Sequence, residues 1–332
     1  MSKQNCKILG IGSPIIDVSY CLSDEQLAHI IGEKSTAERC SFAELDKLAK
    51  NLIAENLSLQ KFSGGSAGNA MKVLAKLIKF FGDEQDLTAS FGGIAGNDTD
   101  GGFFQKEYEK SGVDLKYFIQ APDLRTDCCM AFVTPDGERT FRTAVDASLK
   151  MNSEWLKTIN FNQFEFVLVE GYQLYNEDFF QELIEKAIAA KTKIAIDLSA
   201  VEVVNLFQDK LQKLFNAGKF DIVFANASEC EAFTGEADPR KGCLKLAEKC
   251  RIAAVKIGAE GSLIGNNQNL FHCPSEKVKV ADTTSAGDSW AGAFLYKLMK
   301  GNSLCECAEF ANKIAGITVQ NFGAECSFED KI

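Results

Sequence analysis

Short apolar runs rich in β-branched residues recur along the chain, at residues 8–12, 88–94, 166–170, 193–197, 221–225 and 252–257. Amphipathic stretches separate the later ones at a spacing of about one strand–helix unit. Residues 177–190 place apolar side chains at 179, 180, 183, 184, 187 and 188, the spacing of a helix with one buried face. Residues 241–249 read the same way. Strands that are apolar on both faces and alternate with helices predict a mainly parallel sheet with helices on both sides.

Two stretches break the rhythm. Residues 19–61 are polar and irregular, with one helical piece near 42–54. Residues 126–144 read as two strands, 128–134 and 139–143, joined by the turn Pro135-Asp136-Gly137-Glu138. A hairpin inside an α/β chain predicts a small β lid over the C-terminal edge of the sheet, where open α/β sheets bind ligands. With no linker or repeat in view, the expectation is a single domain over 1–332, its lid built from about 17–63 and 123–146.

Composition narrows the partners. The chain has 332 residues, 36 Lys plus Arg against 46 Asp plus Glu, and a formal charge of -10. That balance argues against a nucleic-acid partner or an anionic membrane surface. It leaves room for a phosphate ligand, which backbone N–H groups at a helix start can hold. The 12 cysteines are scattered without a C-x-x-C pair, and the two histidines have no ligand cluster, so reduced, packed cysteines are expected. No leader-like start and no apolar run of membrane-spanning length is seen, which makes the cytoplasm the expected location.

Four segments carry candidate chemistry. In Asp282-Thr283-Thr284-Ser285-Ala286-Gly287-Asp288 a strand end gives way to small residues and then a helix from about 289 to 300. The free N–H groups of 286–288 make an anion hole, and a carboxylate at Asp288 is suited to accept a proton from an attacking hydroxyl. The same residues also serve as a plain helix cap. Ser63-Gly64-Gly65-Ser66-Ala67-Gly68-Asn69 opens a helix at about 70–80, where a ligand can approach the backbone and Asn69 can reach a hydroxyl. Gly10-Ile11-Gly12-Ser13-Pro14-Ile15-Ile16-Asp17 imitates a dinucleotide fingerprint, but Ile15 and Pro14 break it, so Asp17 reads as an acceptor for paired hydroxyls. Asn226-Ala227-Ser228-Glu229 suits either an N-cap or the ordering of water on Mg²⁺.

Together and in this order, these segments resemble the ribokinase-like superfamily of PfkB carbohydrate kinases, in its adenosine-kinase-like branch. The resemblance runs from residue 8 to about 325 and implies a three-layer α/β/α sandwich with a small β lid. It implies an ATP-dependent kinase for a hydroxymethyl group, with Asp288 as general base. The backbone of Ser285, Ala286 and Gly287 would stabilise the transferring phosphoryl group, and Arg139 resembles a lid arginine that swings to the phosphates. Ser13, Asp17, Gly64, Gly65 and Asn69 would hold the substrate. Asn226, Gly258, Gly261 and Asn312 would line the nucleotide side. Glu229 would hold Mg²⁺ through water, and family members also bind a monovalent cation such as K⁺ where Asp282 and Thr284 stand.

The pattern departs from the family at Ser285, where a glycine is usual, at Ser13, where adenosine kinases often have Asn, and at Asp127 and Ala227. The long segment between Asp17 and Gly64 favours a ribonucleoside, adenosine first, over a free sugar such as ribose or fructose. Phe42, Phe62, Phe132 and Tyr172 are candidates for the wall of a base pocket. A catalytically silent sugar- or nucleotide-binding protein is the competing reading, and a monomer or a homodimer fits equally.

Overall fold

The structure, a computed structural model, describes residues 6–31, 33–54, 57, 59–136, 138–267, 269–321 and 328. Nine strands form a large sheet in the order Asn269–Cys273, Ser262–Asn266, Ile252–Lys256, Ile222–Asn226, Lys193–Asp197, Phe166–Glu170, Cys6–Ile11, Leu87–Gly96 and Asp114–Ala121. Its pairings are parallel, except that Ser262–Asn266 runs antiparallel to both of its neighbours. Side chains alternate across this sheet. Leu9, Ile11, Val167, Val169 and Val255 enter one core, whereas Ile8, Phe166, Leu168, Phe224 and Ala254 enter the other.

Helices cover both faces. Glu177–Ala189, Gln208–Asn216 and Pro239–Ala247 pack on the first core, and Ser66–Phe81, Thr99–Ser111, Ala286–Met299 and Leu304–Thr318 on the second. The three-layer α/β/α architecture read from the hydrophobic pattern is the one observed. Ala286–Met299 packs closely against Ser66–Phe81, where a β-carbon at Gly292 would overlap the carbonyl of Ala70. That contact brings the starts of the two helices together.

A second sheet of five strands has the order Ala37–Arg39, Arg139–Ala144, Asp127–Val133, Ile15–Cys21 and Leu59–Ser63. One face is closed by Tyr20, Leu22, Met130 and Phe132 packed with Leu27, Leu45 and Leu52 of the helices Asp24–Ile30 and Phe42–Ala54. The predicted hairpin is present, and Thr134 N–H donates to Glu138 O across its turn at 3.0 Å; Gly137 lies outside the described residues. The segment expected to be irregular holds one strand of this sheet and parts of two more. Ile15–Cys21 and Leu59–Ser63 carry polar side chains towards the cavity and towards solvent, so their apolar alternation is diluted. Both glycine-rich helices begin earlier than expected, at Ser66 and Ala286, because small residues occupy their first turns.

Among the described residues every cysteine is a free thiol, and burial pushes Cys128 up to about 12. Cys326 lies outside them. No described helix is long and apolar enough to cross a membrane.

Candidate active site

Four neighbouring parallel strands of the large sheet end in a polar residue, Glu170, Asp197, Asn226 and Lys256. All four line a cavity of about 1110 Å³. Its opposite wall is the inner face of the smaller sheet, where Asp17, Cys129, Thr143 and Arg39 lie side by side across successive strands. The two glycine-rich helix starts meet at its floor.

Asp288 stands in the first turn of Ala286–Met299. One carboxylate oxygen accepts from Ser66 Oγ at 2.8 Å, and the other from Asn69 Nδ2 at 3.0 Å. Burial raises its pKa, while the Asn69 hydrogen bond pulls the other way. The N-cap residue Ser285 has φ +57, a left-handed conformation that normally selects glycine, and provides no side-chain cap. Its hydroxyl instead accepts from Asn69 Nδ2 at 2.8 Å. Ala286 N–H turns back to Thr283 O at 3.3 Å, and the next N–H groups, of Gly287 and Asp288, have no side-chain cap. Asn69 is 4% exposed, and its Oδ1 is buried with no hydrogen-bond partner among the described residues.

One side of the cavity is built on tight backbone turns. Gly64 N–H donates to Ile15 O at 2.8 Å, and a β-carbon at Gly64 would overlap the Asp17 carboxylate. Gly65 has φ +91, and a β-carbon there would come within 2.5 Å of Ser13 O. Burial pushes Asp17 up to about 7; the charge of Lys72 opposes this and that of Asp288 adds to it. Lys72 Nζ donates to Ser63 O and Ser63 Oγ, each at 2.9 Å. Glu170, 1% exposed, accepts from Ser13 N–H at 2.7 Å, Ala67 N–H at 3.1 Å and Gln173 Nε2 at 3.1 Å. Burial lifts Glu170 to about 7 against those hydrogen bonds. Of the four aromatic candidates, Tyr172 lines the cavity. Phe132 and Phe42 belong to the core on the far face of the smaller sheet, and Phe62 is not among the lining residues. Phe141 and Tyr175 complete the aromatic wall.

On the other side, Asn226 and Glu229 form a capping box. Glu229 accepts from Asn226 N–H at 2.8 Å and from Asn226 Nδ2 at 2.7 Å, and Asn226 Oδ1 accepts from Glu229 N–H at 2.8 Å. The capping alternative is thus realised, and each Glu229 oxygen keeps a lone pair for water. Burial and the charge of Asp197 lift Glu229 to about 7, against Lys256. Among the described residues no cluster of three or more His, Cys, Asp or Glu is arranged to ligate a metal. This donor set fits Mg²⁺, which keeps several waters and takes its remaining oxygens from phosphates. Gly258 (φ +63) and Gly261 (φ +98) form the turn after Ile252–Lys256, at the cavity wall. Asn312 also reaches that wall, but its amide is spent inside the protein, accepting from Trp290 Nε1 at 2.8 Å and donating to Cys273 O at 2.7 Å.

Arg139, at the start of Arg139–Ala144, pairs with the Asp282 carboxylate and donates to Thr284 Oγ1 at 2.7 Å. The oxygens expected for a monovalent cation thus hold a guanidinium, which ties the smaller sheet to the loop ahead of Ala286. The sequence reading assigned no site role to Lys256, Lys72, Glu170 or Asp197. A signal was available for Lys256: a single charge closes an otherwise apolar strand, Ile-Ala-Ala-Val-Lys.

A family model described as pfkB family carbohydrate kinase matches residues 29–331. Adenosine kinase 2 of Arabidopsis thaliana is 23% identical, covering 98% of this chain and 96% of that protein. Ribokinase of Staphylococcus aureus (strain COL) is 25% identical over 80% of this chain and 84% of its own length. Among solved structures, the adenosine kinase from Sinorhizobium meliloti superposes with a TM-score of 0.82 at 27% identity, covering 98% of this chain and 96% of that one. A probable sugar kinase protein from Rhizobium etli CFN 42 gives 0.83 at 25% identity with the same coverage.

Proposed function

The chain belongs to the pfkB family of carbohydrate kinases, phosphotransferases acting on sugars or nucleosides, and from that membership we propose that it carries the γ-phosphoryl group of ATP to the primary hydroxyl of a ribonucleoside, adenosine first. The observation that carries the reading is Asp288, a partly buried carboxylate at a helix start without a side-chain cap on the cavity floor. Asp17 accepts sugar hydroxyls, and Asn69 Oδ1 takes one more. These contacts aim the primary hydroxyl at Asp288, which receives its proton as the oxygen attacks. The N–H groups of Gly287 and Asp288 bind the phosphoryl oxygens.

Mg²⁺, when bound, supplies positive charge to the phosphates, and Asn226 and Glu229 would hold it through water. Arg139 leaves Asp282 to meet the phosphates as the smaller sheet closes as a lid and excludes water. The raised pKa of Asp288 makes it a stronger proton acceptor than an exposed carboxylate.

The choice of a nucleoside rests on the wall beyond Asp17. Phe141, Tyr172, Tyr175 and Leu149 offer aromatic and aliphatic surface that a pentose would leave uncovered and a purine would bury. The adenosine kinase alignment also spans the segment between Asp17 and Gly64, in a chain of which ribokinase matches a smaller share. The test is ADP release with ATP and Mg²⁺ over adenosine, inosine, cytidine, ribose and fructose. Turnover on adenosine ahead of both free sugars is expected. Turnover confined to ribose or fructose overturns the nucleoside assignment, and silence on all five favours a binding protein.

A further inference from the structure

Lys256 has a place in this site that the signature segments do not include. Its side chain is 15% exposed, and Nζ lies 3.1 Å from Oδ2 of Asp197, itself 8% exposed. The other oxygen of Asp197 accepts from Ser199 N–H at 2.9 Å, so the carboxylate is gripped from two directions. The lysine stem then runs over the first turn of Ala286–Met299. A β-carbon at Gly287 would be 3.0 Å from Nζ, 3.7 Å from Cε and 3.8 Å from Cδ. Burial alone would lower the lysine pKa, but the carboxylates of Asp197, Glu229 and Asp288 raise it above its ordinary value. An ammonium has three donors, and Asp197 takes one.

The geometry points to Lys256 as a further catalytic residue whose ammonium binds a γ-phosphoryl oxygen seated on the Gly287 N–H, with Asp197 as its positioning residue. This rests on the kinase reading of the same site. In the step, the acceptor oxygen bonds to the γ-phosphorus and the bond from that phosphorus to the β–γ bridging oxygen breaks. The acceptor's proton passes to Asp288, and the electron pair of the broken bond leaves on ADP. Charge stays spread over the three equatorial oxygens throughout, and a fixed ammonium stabilises them without moving a proton. Glycine at 287 is what lets ammonium and phosphoryl group share this corner.

The test compares wild type with Lys256→Met and, as a variant that keeps the ion pair with Asp197, Gly287→Ala. Calorimetry measures ADP and β,γ-imido-ATP binding, and turnover is followed on whichever acceptor the wild type uses. For both variants, binding of β,γ-imido-ATP is expected to weaken about tenfold while ADP binding holds. For Lys256→Met, kcat is expected to fall about 100-fold with the acceptor KM unchanged. Equal weakening for both nucleotides, or kcat within about threefold of wild type, overturns the role of Lys256 and leaves the kinase reading intact. If Lys256→Met does not fold, selective loss in Gly287→Ala supports the proposal and its absence overturns it. Wild-type protein that binds neither nucleotide overturns the kinase reading, and this inference with it.

Discussion

Two helices start side by side on the floor of the cavity, each after a turn of small residues: Ser66–Phe81 behind Gly65 at φ +91, and Ala286–Met299 behind Ser285 at φ +57. Neither has a side-chain cap. The likeness stops there. At the first start, Ala67 N–H is taken by Glu170 from the large sheet at 3.1 Å, so a buried carboxylate meets the positive end of the helix. At the second, the carboxylate belongs to the helix itself. Asp288 turns towards Ser66 and Asn69, leaving the N–H groups of Gly287 and Asp288 to the cavity with Lys256 alongside. A filled helix start can offer only side chains such as Asn69 to a ligand, whereas an open one can hold an anion. On the proposed kinase reading, the pair divides the cavity into an acceptor side and a phosphate side.

The largest effect is expected at the open start. Asp288→Asn keeps the shape of the side chain and removes its ability to accept a proton. Turnover should fall by about 10²–10⁴-fold, while nucleotide and acceptor still bind by calorimetry. An unchanged rate would sink the base assignment.

Glu170→Ala makes the converse change at the filled start. It leaves the buried N–H groups of Ser13 and Ala67 without their acceptor. The expected cost is about 2–4 kcal/mol of stability, read from the urea midpoint. Glu170→Gln should recover part of that, since its one carbonyl oxygen can still serve one of the two donors. A urea midpoint unmoved in both variants would mean the two helix starts are not distinguished by what fills them.

How much of this was legible beforehand follows from the physics of each part. Residues 166–170 and 193–197 were read correctly because strands buried on both faces give short, nearly continuous apolar runs, here at the spacing of strand–helix units. Ile15–Cys21 was missed because one face of that strand carries Asp17 and Ser19 against apolar neighbours. Asp288 and Asn69 were nameable because they sit in glycine-rich turns, whose composition betrays the local backbone. Their hydrogen bond was not, since it depends on two helices packing at Gly292. Lys256 and Lys72 are single charges in ordinary-looking elements, and a fold is needed to reveal what they face. The resemblance led to Arg139, but not to its resting partner, Asp282.

The smallest expected effect tests whether the acceptor carboxylate is tuned separately from the base. Asp17 must be ionised to accept sugar hydroxyls, and burial has already pushed it up to about 7, with Lys72 holding it down. In wild type, kcat/KM for the acceptor should therefore fall as pH drops through about 7. Lys72→Met removes the opposing charge, so the carboxyl holds its proton to higher pH and the acid limb moves in the alkaline direction. A displacement of about half to one unit would lower kcat/KM at pH 7 by roughly two- to fivefold and leave the high-pH plateau unchanged. Lys72 itself is lowered to about 8 by burial, so in wild type its help fades only where Asp17 is already ionised. A profile from pH 5.5 to 9 measures this directly. If the acid limb stays where it is in Lys72→Met, the limb belongs to Asp288 or the substrate, and the two carboxylates titrate as parts of one site.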